Sequence, residues 1–291
     1  MAVPDVVLAA VPTPFHPDGS LDHAGARRLF EFLAARVDGL LVAGTTGEFP
    51  ALDTDERLAL IEIALEVAGP DRVIAQIGAP DAYHAARLAA EAEILGTERL
   101  AAITPFYAAA SPAEVTEYYL RIRDAAPEAE LYAYLFPERT GLTVTPQQFC
   151  ELADNVGLAG AKFSGAAAGN LAACAAARPA LRIFSGNDAD LAATLRAGGA
   201  GIISARSSAY PEVFAALAAA LADGPASAAV AAARQGDVSA IAALGASVGL
   251  VKEALRVRGF GPMATRMPAG EPDPATAARV AELVKSLTAA V

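Results

Sequence analysis

Lysine occurs only three times in this chain, at Lys162, Lys252 and Lys285, although Lys and Arg together number 22. Arginine carries almost all of the basic charge, so each lysine asks for a reason. Lys252 and Lys285 lie in polar, helical company, Val-Lys-Glu-Ala and Leu-Val-Lys-Ser. Lys162 follows Val156-Gly157-Leu158-Ala159-Gly160-Ala161 and precedes Phe163, an apolar run. Burying an ammonium is costly, and desolvation favours the neutral amine. A neutral amine attacks a ketone and forms a Schiff base with it. The competing reading is a strand-end lysine that snorkels to solvent or pairs with a carboxylate.

Other polar groups sit at comparable places, each with a plain alternative. Gly44-Thr45-Thr46-Gly47-Glu48 offers hydroxyls and backbone N–H groups able to hold a small carboxylate. It reads equally as a glycine-bounded loop, with Glu48 or Asp53 serving the next helix. Tyr107 and Tyr134 are candidates for proton transfer or ordinary core tyrosines. Arg139 carries a fork suited to a carboxylate, or is a surface residue. Asp188 reads as the cap of the helix that follows it. No carboxylate pair and no histidine dyad stands among these groups. His16, His23 and His84 lack metal-ligand spacing, and Cys150 and Cys174 suit neither a CxxC motif nor a disulfide framework.

The elements that must position these groups alternate along the chain. Short apolar, strand-like runs cover residues 6–11, 39–42, 73–76, 100–103, 131–135, 158–162, 182–184 and 201–204. Helical segments with start signals lie between them. Asp53-x-x-Glu56 is a capping box before residues 58–67. Ser111-Pro112-x-Glu114 and Thr145-Pro146-x-Gln148 place an N-cap, an N1 proline and an N3 partner in order. Gly69, Gly96 and Gly198 stand where helices should end. Eight β-then-α units over residues 1–224 predict an α/β fold, a (β/α)8 TIM barrel. An open doubly wound sheet is disfavoured, since no Gly-x-Gly-x-x-Gly follows the first strand. Residues 225–291 predict a C-terminal helical extension with helices at 226–234, 238–256 and 275–287 and a Gly/Pro-rich loop at 258–274. Active sites of such barrels lie at the C-terminal ends of the strands. That is where Thr45, Thr46, Tyr107, Tyr134, Arg139, Lys162, Gly186 and Ile203 fall.

Composition excludes several classes. With 291 residues and a formal net charge of −11 the chain can bury a large core, and it has no basic stripe for nucleic acid or an anionic membrane. Its longest apolar stretch, 213–222, is half of the roughly 20 residues a bilayer span needs. The opening residues lack a basic n-region, and Pro4, Pro12 and Pro14 interrupt any signal-like helix. The expectation is a soluble cytoplasmic protein without a structural metal.

Taken together, the motifs resemble those of the dihydrodipicolinate synthase/N-acetylneuraminate lyase family of class I Schiff-base aldolases. They are Gly44-Thr45-Thr46-Gly47-Glu48, Thr104-Pro105-Phe106-Tyr107, Tyr134-Leu135-Phe136-Pro137-Glu138-Arg139-Thr140-Gly141, Gly160-Ala161-Lys162 and Ser185-Gly186-Asn187-Asp188. The resemblance covers nearly the whole chain. It implies that Lys162 attacks C2 of pyruvate or another 2-oxo acid and that Tyr134 shuttles protons. Thr45 would link Tyr134 to Tyr107, with Tyr107 reaching in from a neighbouring subunit. Thr46 would bind the 2-oxo acid carboxylate, Arg139 a second carboxylate, and the backbone at Gly186 and Ile203 would line the pocket. No cofactor beyond the lysine imine is implied. The partners implied are the 2-oxo acid, an aldehyde, and further copies of the chain in a dimer or dimer of dimers.

The resemblance implies an enzyme similar to 4-hydroxy-tetrahydrodipicolinate synthase, a carbon–carbon or carbon–oxygen lyase. Phe49, Phe106, Leu135 and Phe163 depart from the synthase pattern. Thr-Pro-Phe-Tyr and Pro211-Glu212-Val213-Phe214 look more like sialic acid lyases and 2-keto-3-deoxy sugar acid aldolases. A sugar acid aldolase or dehydratase is therefore the alternative enzyme. A barrel that binds a 2-oxo acid without turning it over is the alternative from another class.

Overall fold

In the computed structural model residues 6–288 are described; the expectation resting on Pro4 lies outside them. The strands are β1 (Val7–Ala10), β2 (Gly39–Val42), β3 (Val73–Gln76), β4 (Arg99–Ile103), β5 (Glu130–Leu135), β6 (Gly160–Phe163), β7 (Arg182–Ser185) and β8 (Gly201–Ser204). They close into a parallel barrel in chain order, with helices between strands. The TIM barrel is thus the fold. Among the described residues no helix is long and apolar enough to cross a membrane.

The chain forms two compact units, residues 69–203 and, among the described residues, 6–68 with 204–288. In the first unit the faces of the strands are told apart by their partners. Phe163 packs edge-on against Phe149 of the helix Pro146–Val156, ring centroids 4.9 Å apart. Alternation along a strand then turns Lys162 and Gly160 the other way, into the barrel. Tyr132 stands opposite Gly160 in the β5–β6 register, and Tyr134 opposite Lys162. The bulky Tyr132 ring needs a neighbour with no side chain. A Cβ on Gly160 would lie 2.9 Å from Tyr132 Cε1 and 2.0 Å from the Arg182 carbonyl oxygen. The Tyr132 hydroxyl donates to Glu130 at 2.7 Å, and burial pushes its pKa up to about 12.

Helix ends in this unit follow their local chemistry. Ser111 and Thr145 both form full capping boxes, with Glu114 and Gln148, ahead of the helices Pro112–Ala125 and Pro146–Val156. Tyr118 and Tyr119 of the first of these helices donate to the β4 carbonyls of Ile103, at 3.2 Å, and Ala102, at 2.7 Å. These bonds anchor the far side of the loop that carries Tyr107. Asp188 does not cap the next helix. It opens the 3-10 turn Asp188–Asp190 and is buried, and the N-cap position before Leu191–Arg196 is Asp190.

In the second unit β1 pairs with β2, Leu8 opposite Gly39. Asp53 and Glu56 exchange backbone hydrogen bonds at 2.8 and 3.2 Å, the capping box ahead of Thr54–Ala68. Among the described residues the C-terminal segment holds three α-helices, and the first boundary differs from the one the sequence suggests. Helix Ala228–Ala242 runs through Gly236, and the break comes at Gly245, φ +117°, with Ser247 capping Val248–Val257. A mid-helix glycine costs only about 1 kcal/mol. Gly245 instead adopts a conformation that only glycine reaches easily. Helix Ala228–Ala242 packs on Pro211–Ala222, and Pro274–Thr288 packs on Val248–Val257.

Gly160→Ala should be badly tolerated, because the added methyl meets backbone rather than a movable side chain. A loss of about 3 kcal/mol is expected, read as a shifted midpoint in urea unfolding. A wild-type midpoint would show that β6 can shift to make room.

Candidate active site

Register and alternation together set Lys162 beside Tyr134. Its Nζ lies 4.5 Å from the Tyr134 ring centroid, and the lysine is only 6% exposed. Tyr134 is buried and continues into Phe136, whose ring stacks on it at 6.1 Å. Arg139 follows on the short helix Pro137–Thr140 with its guanidinium 5.7 Å from the Phe136 ring. Arg139 is itself exposed. An amine, a phenol and a guanidinium thus form a graded series from the strand to the surface.

Gly186 approaches this amine closely. A Cβ there would lie 3.0 Å from Lys162 Cε and 1.9 Å from Ser164 Oγ, so only glycine leaves the lysine stem its space. The loops after β5, β6 and β7 are tied to one another nearby. Glu138 accepts from the Ala166 N–H at 2.8 Å, and Asn187 accepts from the Gly165 N–H at 3.2 Å. Ile203, at the end of β8, is buried. Tyr107 is different: it is 99% exposed and holds a left-handed φ of +76°, strained for a non-glycine residue. Within the single chain its ring stands out in solvent.

In the unit formed by 6–68 and 204–288, Thr46 is buried and Thr45 half-buried in the loop after β2. Thr13 donates to the Gly47 carbonyl at 2.6 Å, and a Cβ on Gly47 would press on Val11 and Thr13. Ala43 and Glu48, at either end of the loop, both have left-handed φ, +53° and +57°. Glu48 does not serve the next helix; Asp53 does. Glu48 is buried and pairs with Lys252 at 2.5 Å. The reading of Lys252 as a polar helical lysine is thereby corrected, since it is completely buried. Its position on the buried face of Val248–Val257, with Gly249, Val251 and Leu255, was the available signal. Ser164 also escaped the sequence reading, and Glu138, though inside the motif at 134–141, was given no role there.

Among the described residues no cluster of three or more His, Cys, Asp or Glu could hold a metal. Phe163 and Leu135 alternate with Lys162 and Tyr134, and Phe163 contacts a helix. Their departure from the synthase pattern therefore concerns packing of the barrel wall.

Residues 4–287 match the model of the dihydrodipicolinate synthetase family. The chain belongs to that family. It is 35% identical over 208 residues to 4-hydroxy-tetrahydrodipicolinate synthase of Caldicellulosiruptor bescii, covering 70% of this chain and 69% of that one. It is 33% identical over 214 residues to the probable 2-dehydro-3-deoxy-D-pentonate aldolase of Escherichia coli, covering 71% of each. Among solved structures, a prophage protein of the family from E. coli K12, determined with pyruvate, superposes with a TM-score of 0.87 at 29% identity over 98% of both chains. A Clostridium difficile protein determined with mannosamine gives 0.86 at 26%, covering 97% and 98%. As a family member the chain is a lyase of the aldolase kind.

Gly186→Ala should push on the Lys162 stem while leaving the fold intact. An activity loss of roughly tenfold to 100-fold in kcat/KM is expected, since misplacement on the ångström scale is that costly. Thermal unfolding should change little. A variant with wild-type kcat/KM would show that Ser164 alone absorbs the methyl.

Proposed function

We propose that this chain is a pyruvate-linked class I aldolase that works through an imine on Lys162. The observation that carries the reading is the β5–β6 register, which sets a buried amine 4.5 Å from a buried tyrosine ring. The neutral Nζ adds to C2 of the 2-oxo acid, and the carbinolamine loses its hydroxyl as water after protonation. The iminium left behind is an electron sink, so C3 can give up a proton to form an enamine. The enamine carbon then bonds to the aldehyde carbon, whose oxygen takes a proton, and water releases the product from the lysine. The reverse sequence cleaves the same bond. No cofactor is required for this chemistry.

Tyr134 supplies and removes the protons, as its place beside Nζ allows. Thr46 holds the carboxylate of the 2-oxo acid, and the backbone at Gly186 and Ile203 lines its pocket. Arg139 binds the second substrate where that substrate bears a carboxylate. Thr45 joins Tyr134 to Tyr107 of a second copy of the chain, a role for which exposure and a strained backbone at Tyr107 are fitting. The active form is then at least a dimer, and the expected setting is the cytoplasm. A 2-keto-3-deoxy sugar acid as substrate is the second reading. The likeness to the E. coli pentonate aldolase favours it, as does the aromatic surface of Phe136 between Tyr134 and Arg139.

Borohydride reduction in the presence of pyruvate should leave one pyruvyl adduct, mapped to Lys162 and lost in Lys162→Ala. Tyr134→Phe should lower kcat/KM by roughly 100-fold to 10,000-fold, the usual worth of a positioned proton donor. An unlabelled wild-type lysine, with pyruvate and with longer 2-keto-3-deoxy acids, would favour the non-catalytic binding barrel.

For the shared site, inactive Lys162→Ala and Tyr107→Phe chains should regain part of the activity when mixed and reassembled. A fully active monomer would place Tyr107 outside the mechanism.

A further inference from the structure

The strongest unassigned cluster is the buried ion pair behind the Gly44–Gly47 loop. Glu48 Oε1 accepts from Lys252 Nζ at 2.5 Å, and Oε2 accepts from the backbone N–H groups of Arg266 and Met267 at 2.9 and 2.7 Å. Lys252 Nζ donates a second bond to the Ala264 carbonyl at 2.6 Å and lies 4.6 Å from the Phe15 ring centroid. Both carboxylate oxygens and two of the three ammonium protons are therefore engaged. Burial pulls the lysine pKa down, and the Glu48 carboxylate opposes that pull.

The segment that closes on Glu48 is itself clasped. Arg266 donates to Glu56 through both terminal guanidinium nitrogens, to the Ala51 carbonyl at 2.9 Å, and through Nε to the Gly19 carbonyl at 2.7 Å. Met263, at the start of this segment, has φ +49°. Among the described residues only four non-glycines have positive φ: Ala43, Glu48, Tyr107 and Met263. Two bracket the Thr45–Thr46 loop and a third opens the segment that grips it. Strain of this kind persists only where the surroundings over-determine it. Here Thr13 holds the loop from one side and the ion pair from the other.

We propose that Glu48 and Lys252 are positioning residues: their pair, closed by the 264–267 backbone, holds the strained loop in the conformation that presents Thr45 and Thr46 to the 2-oxo acid. The helical segment at the end of the chain is then a working part of the substrate site. This inference rests on the assignment of Thr46 to the carboxylate in the proposed function. It predicts that loosening the pair weakens 2-oxo acid binding before it abolishes folding. A buried pair broken on one side leaves a charge unpaired, so Lys252→Met is accompanied by Lys252→Arg. The guanidinium keeps the charge but cannot reproduce the point-like bonds of the ammonium to Glu48 and Ala264 at once.

The test is the pyruvate concentration that gives half-maximal borohydride trapping, measured on the full chain well below its melting temperature. Thermal unfolding is followed alongside. Lys252→Arg and Glu48→Gln are expected to raise that concentration roughly tenfold or more, in line with the cost of small misplacements in a site. Lysine labelling should still reach completion at saturating pyruvate. A lowered melting temperature with wild-type half-saturation in these variants would overturn the inference and leave a purely structural ion pair. No trapping in the wild-type chain would instead overturn the proposed function, and this inference with it.

Discussion

A slip of one residue between β5 and β6 would turn Lys162 out toward the helix layer and bring Phe163 into the barrel, because side chains alternate with a period of two. Everything chemical about this molecule depends on that register. It is held from both faces of the sheet. On the inner face the Tyr132 ring fills the space that Gly160 leaves open, which a slip of one residue would remove. On the outer face Phe163 meets Phe149 edge-on. The lysine is placed by the packing of residues that have no part in the chemistry.

The two buried lysines show how one side chain serves opposite ends. Lys252 meets a carboxylate, a carbonyl and an aromatic face, all of which favour its charged form. Lys162 meets the face of a tyrosine and the stem space left by a glycine. Both are nearly excluded from water, so what tells them apart is the set of neighbours and not burial.

The barrel was legible because its signals are local and redundant. Eight apolar runs, two capping boxes with an N1 proline and glycines at helix ends all agree, and each strand lies within about two residues of its apolar run. The C-terminal break was misplaced because Gly236 resembles a helix stop in sequence, while the stop lies at Gly245, where φ is positive. Of the site, lysine scarcity and apolar company single out Lys162, whereas Tyr134 stands out only through the family resemblance, and strand register then joins the two. Glu48 could not be assigned, because its partner lies 204 residues away and nothing local distinguishes a buried acid from a capping one. The same scarcity of lysine pointed at Lys252 as well. What hid it was a polar neighbour, Glu253, which distracts from the helix face on which Lys252 lies.

That separation along the chain bears on how the protein is made. Every residue from Thr45 to Ile203 leaves the ribosome before the ammonium that Glu48 needs. At roughly 5–20 residues per second, the 204 residues between Glu48 and Lys252 take on the order of 10–40 s to synthesise. During that interval Glu48 has no lysine to accept it into the interior, and the loop ahead of it has no reason to hold two left-handed residues. The nascent chain can pair strands and cap helices, but it carries an acid that cannot yet be buried. Completion of the site is thereby tied to completion of the chain.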